Sequence, residues 1–203
     1  MAGYLVPPTK SPGDVLTSAL WNSYIRDNLD FGMVRPIADN LLTSPAASID
    51  FSAIPATFAH LLLVVRAQSA VAANGDDLFV RLNADAGAHY SYYGNQTNTA
   101  ATAIVSAYST ANGCNIGTCP GASLSTRYFS TNTLLIPGYA DAAHAKHAKG
   151  DGGFVTTNTA LSWLSSYMNL WDDTSVINEL TLRAAGGNLT VGTRATLYGI
   201  GGK

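Results

Sequence analysis

The chain has 203 residues, of which 47% are hydrophobic and only 12% charged, with a formal net charge of −2. This is ample for one core of sandwich size plus an appendage. Charge at about half the usual fraction leaves no field to attract a nucleic-acid backbone. No run of about 18 apolar residues occurs, so membrane insertion is not expected either. The opening MAGYLVPPTKSPGD lacks a basic start followed by an apolar block, and no Sec-type leader is expected.

Pro7 to Asp14 is turn-rich and reads as an extended arm. The next stretch, VLTSALWNSYIRDNLDFG, predicts the one convincing helix. Thr17 or Ser18 can cap it, and Leu20, Trp21, Tyr24, Ile25 and Leu29 recur at three- and four-residue steps as one apolar stripe. Gly32 and Pro36 stand where it must stop. A helix of about three turns is not stable alone in water. Its stripe therefore needs a partner: the following domain, a copy of itself, or another protein.

From Ala47 onward the pattern changes to short strands separated by turn residues. Ser48–Ile54 alternates, His60–Ala67 (HLLLVVRA) is a continuous apolar run suited to a central strand covered on both faces, and Leu78–Asn83 alternates again. HYSYY, Thr99–Tyr108, Tyr128–Ile136, Phe154–Thr157, Ala160–Leu170, Val176–Leu182 and Arg194–Ile200 follow. Gly150 to Gly153 reads as a turn. The expectation is an all-β, jelly-roll-like antiparallel β-sandwich of about eight to ten strands. An N-terminal arm and amphipathic helix over residues 1–45 would precede the sandwich over 46–203. No helix is placed for a βαβ crossover.

Four groups of residues are candidates for chemistry. Cys114 and Cys119, in NGCNIGTCPG, are read either as two free thiols in a loop or as a local disulfide. His144 and His147 fall three apart in a segment read as strand or loop, where they would face opposite sides, so no metal site is expected. His60 opens an apolar strand and reads as an edge residue. Acidic residues gather at Asp76-Asp77, Asp85 and Asp172-Asp173; the NADAG around Asp85 reads as a turn rather than a calcium loop.

No G-x-S-x-G elbow, P-loop or dinucleotide fingerprint occurs, so neither an enzyme nor a cofactor is expected. The aromatics Tyr90, Tyr92 and Tyr93, with Trp163, Tyr167 and Trp171, form rows that either fill the core or face a ligand such as a sugar.

Several segments together resemble bacteriophage tail and fibre proteins. ASIDFSAIPATFAHLLLVVRA is similar to their I-x-F-x-x-I-P-x-T-[FY]-x-x-L strand, and LFVRLNADAGAHYSY to their L-x-x-R-x-N-x-D-x-G-x-x-Y hairpin. INELTLRAAGGNLTVGTRATLYGI resembles a closing hairpin ending in L-Y-G-I, and VLTSALWNSYIRDNL a W-N-x-x-[IV]-R-D-N helix of phage minor structural proteins. The four pieces stand in the same order and span most of the chain, Tyr93 to Gly121 excepted. The resemblance implies a virion structural protein, assembled in the host cytoplasm, exposed on the particle and often oligomeric.

On that reading the N-terminal segment contacts other virion proteins, and the sandwich self-associates, with a trimer favoured. A capsid decoration protein and a receptor- or glycan-binding module on the host surface are the alternatives.

Overall fold

The computed structural model describes residues 17–18, 34–98, 103–111, 113–158 and 161–202. Leu20, Trp21, Tyr24, Ile25 and Leu29, the stripe assigned to attachment, lie outside the described residues.

Among the described residues twelve strands form two antiparallel sheets, so the expected all-β sandwich is what the chain builds. They are β1 (Val34–Leu41), β2 (Ile49–Phe51), β3 (Phe58–Ala67), β4 (Gly75–Leu82), β5 (Tyr90–Asn98), β6 (Ala103–Ala111), β7 (Cys114–Pro120), β8 (Ser130–Pro137), β9 (Lys146–Phe154), β10 (Trp163–Trp171), β11 (Leu180–Ala184) and β12 (Arg194–Gly202). The long sheet runs β1-β12-β3-β8-β9-β10-β5-β6 and the short one β2-β11-β4-β7. With the hairpins β5–β6 and β9–β10 set aside, the chain crosses between sheets at every step except β4 to β7.

Alternation sets which side chains are inside, because successive residues of a strand point to opposite faces. On β3, Leu61, Leu63, Val65 and Ala67 are buried, and on β4 Leu78, Val80 and Leu82 meet them from the other sheet. Leu134, Ile136, Leu180, Leu182, Ala195 and Leu197 complete one continuous core.

Three sequence-based assignments change. The sequence pattern places residues 34–41 in the N-terminal segment, but β1 pairs along β12 as the edge of the long sheet, so these residues belong to the sandwich. HLLLVVRA was expected to be covered on both faces. The described residues cover only one, and Leu62 and Val64 are half-buried on the other.

The third concerns the Gly150–Gly153 turn, which is the end of strand β9. Gly150 is there because β7 passes directly across it, and Gly152 because the Asn132 side chain of β8 does. A Cβ on Gly150 would fall 2.4 Å from the Asn115 carbonyl oxygen, and one on Gly152 would meet the Asn132 amide. Only a strand without side chains on that face lets another backbone approach so closely.

β7 is consequently buried along its whole length. It is the edge of the short sheet, and the long sheet curls round it, β8, β9, β10 and β5 all packing against it. An edge strand buried in this way needs partners for its outward backbone groups. Asparagines supply them. The Asn169 Oδ1 accepts from the Asn115 N–H at 2.7 Å, and its Nδ2 donates to the Asn115 carbonyl at 3.0 Å. The Asn132 Nδ2 donates to the Ile116 carbonyl at 3.0 Å. A bulge opposite Leu78–Phe79, with Gly117 at φ +109°, fits the strand to this path.

Candidate functional site

The aromatic rows resolve along β10. Tyr167 and Trp171 point inward with Tyr90, each about 2% exposed or less, and Tyr90 stacks on Trp171 at 6.3 Å and 21°. Tyr92 packs edge-on against Tyr167 at 5.5 Å and is half-buried. Tyr90, Tyr92 and Tyr167 are therefore core residues and not a ligand face: their strand positions alternate with outward Ser91, Tyr93, Ser166 and Met168. Tyr93, 63% exposed, lies on the outer face.

Trp163 differs. It starts β10, half-buried, with its ring 5.2 Å from that of Phe154. It lines an open cavity of about 310 Å³ with Gly75, Asp76, Asp77, Gln96, Thr118 and Ala185. Four strands contribute: β4, β5, β7 and β10. Asp77 alternates with the buried Asp76 and Leu78, so it faces away from the sandwich core. The curl of the long sheet brings Gln96 over that side.

Thr118 Oγ1 links them, accepting from Gln96 Nε2 at 2.5 Å and donating to Asp77 Oδ1 at 3.1 Å. Fixing Nε2 in this way leaves the Gln96 Oε1 as an acceptor, while Asp77 retains Oδ2. Neither atom, nor the Trp163 indole N–H, has a hydrogen bond among the described residues. Gly75 keeps the space beside the ring open: a Cβ there would stand 3.7 Å from the Trp163 Cε2 and 3.0 Å from the Thr118 Cγ2.

Burial pushes the Asp77 carboxyl above its usual range, against the lowering effect of the Thr118 hydroxyl, and neighbouring Asp76 adds to the rise. Asp76 itself is satisfied, its carboxylate accepting from Ser69 Oγ at 2.6 Å and from the Gly186 N–H.

Asp85 has the opposite character. Its Oδ2 accepts from the Trp171 indole N–H at 2.7 Å and pairs with His89 Nδ1 at 2.9 Å, and its Oδ1 accepts from the Gly87 N–H at 2.7 Å. Burial opposes ionisation, but these hydrogen bonds together outweigh it and hold the carboxyl below its usual range. NADAG is thus a turn whose carboxylate seals the core, with Asn83 and Ala84 in the left-handed region.

The remaining candidates separate. Cys114 and Cys119 are free, buried thiols of β7, not loop residues, and not a disulfide. Five strand steps put their Cα atoms about 15 Å apart, well beyond bridging distance. Burial raises the Cys114 thiol to about 12, so neither reactivity nor metal binding is favoured there. His144 pairs with Asp141 in an exposed turn, while His147 points outward from β9. His60 accepts from the Gly138 N–H at the end of β3. Among the described residues no three His, Cys, Asp or Glu side chains gather as metal ligands do.

Gln96, Thr118 and Gly75 were not singled out from the sequence, and no motif marks them. They come together only through strand order. No family model, curated protein or solved structure matches the chain.

Proposed function

We propose that the chain is a non-enzymatic structural module of a bacteriophage particle, a jelly-roll sandwich fixed to other virion proteins by its N-terminal segment. The observation that carries the reading is the path of the chain. Once the two hairpins are set aside, β1-β12-β3-β8 and β2-β11-β4-β7 are two four-stranded sheets joined by crossings at nearly every step. Jelly rolls of this kind serve as viral coat and lectin domains. The order of the four resembling motifs supports the same reading.

A homo-oligomer, with a trimer favoured, belongs to this proposal. Tyr198, Leu62, Leu135, Lys149, Met168 and Tyr93 lie in register across six strands on the outer face of the long sheet. Five of the six are apolar or aromatic, and Met168 is half exposed. A contiguous row of this kind is what subunit contacts bury.

The test is deletion of residues 1–32, which leaves β1 intact. The truncated chain is expected to unfold at the same temperature as the whole protein and to be missing from purified particles by immunoblot. Its incorporation at wild-type level would refute attachment through this segment.

A further inference from the structure

We propose that the cavity at the start of β10 binds a saccharide, its ring lying on the Trp163 indole and neighbouring hydroxyls donating to the Asp77 carboxylate and the Gln96 amide oxygen. This goes beyond the virion reading and does not depend on it.

Ligand sites are concavities with an apolar wall and a few fixed polar groups, and this one has both. Its volume, about 310 Å³, is at the small end for ligand pockets and suits one sugar ring with part of a second. The polar groups are held before any ligand arrives. Thr118 fixes the Asp77 Oδ1 and the Gln96 amide simultaneously, so the acceptors left over have set directions. Two acceptors with an indole donor complement vicinal hydroxyls, which donate and accept in turn.

Aromatic rings provide the flat apolar surface on which a sugar's C–H face packs. Phe154 packs against the Trp163 ring at 5.2 Å, and the absence of a side chain at Gly75 leaves space beside the indole Cε2.

The state of Asp77 agrees. A carboxylate kept partly out of water with no cation beside it among the described residues is poorly solvated. Hydroxyl donors would replace its lost water. A quaternary ammonium ligand would offset the charge too, but such ligands are recognised by cages of several rings. Here Trp163 is the one aromatic among the described lining residues. Since the ionised carboxylate is the better acceptor, binding should weaken as pH falls through the raised Asp77 value.

Saturation-transfer NMR on the full chain tests the proposal. The probes are D-glucose, D-galactose, D-mannose and N-acetyl-D-glucosamine, each at millimolar concentration, with tetramethylammonium chloride as the cationic comparison. The expected result is transfer to ring protons of at least one sugar. Trp163→Ala should abolish it, and Asp77→Asn and Gln96→Leu should each weaken it about tenfold, roughly the loss of one good hydrogen bond. Thermal unfolding identifies any variant that fails to fold, and the two polar variants retain the test if Trp163→Ala does. Transfer to none of the sugars, sugar binding unaffected by both polar substitutions, or binding of tetramethylammonium alone would each overturn it.

Discussion

Strand β10 begins and ends on a tryptophan, each with an aspartate nearby, and the two ends are built oppositely. At the Trp171 end the indole N–H is bonded to Asp85, the ring stacks on Tyr90, and Asp85 also accepts from Gly87 and pairs with His89. At the Trp163 end the indole N–H has no protein partner among the described residues, and Asp77 is bonded through a single oxygen. The same residue types thus close the fold at one end and line an open, pre-set cavity at the other. A polar group that fully uses its partners stabilises the fold. One held in place but underused costs stability and suits binding.

The largest effect is expected between the two ends, where Asn169 clamps β7. Asn169→Ala removes both bonds to Asn115 and leaves a buried N–H and C=O unpaired. It should cost about 2–4 kcal/mol in urea unfolding at neutral pH. A loss below about 1 kcal/mol would mean that water or a backbone shift replaces the clamp. Asp85→Ala comes next, at about 1–3 kcal/mol, since it strands the Trp171 N–H.

The pH dependence follows from the same group. Asp85 has a folded pKa below its unfolded one, so its contribution is full above the ordinary aspartate range and is lost as pH falls toward the lowered value. Wild-type stability should therefore fall over that acid window more steeply than that of Asp85→Ala. Equal slopes would remove Asp85 as the cause.

The smallest change is expected at the open end. Asp77 has its folded pKa raised, so its ionisation favours unfolding: the fold is favoured below the ordinary aspartate range, and that advantage is lost as pH rises through the raised value. Asp77→Asn should leave stability unchanged or raise it by up to about 1 kcal/mol at neutral pH. Destabilisation comparable to Asp85→Ala would erase the contrast between the ends.

How far the sequence shows this depends on range. Alternation in LFVRLN and branched residues in HLLLVVRA predict β4 and β3 because strand period is a local property. β1, with Pro36 and alternating half-exposed residues, carries no such signal, and its pairing comes from β12, over 150 residues away. Gly150 to Gly153 reads as a turn because Gly150 answers to β7 passing above and Gly152 to the Asn132 side chain, which no window of β9 reveals. The tyrosine and tryptophan rows are locally ambiguous between core and ligand. Only strand pairing separates Trp171, in the core, from Trp163, on the cavity wall. The cavity is the least legible feature. Gly75, Asp77, Gln96, Thr118 and Trp163 come from four strands, two of them in the hairpins that lengthen the long sheet.

The contrast between the two aspartates is measured most directly by carboxyl carbon NMR on selectively labelled protein, following Asp77 and Asp85 through an acid titration of the folded state. The account predicts that Asp85 protonates below, and Asp77 above, the range of an unperturbed aspartate, roughly 3.9. Asp77 titrating at or below Asp85 would contradict it, since the open end would then be as fully satisfied as the closed one.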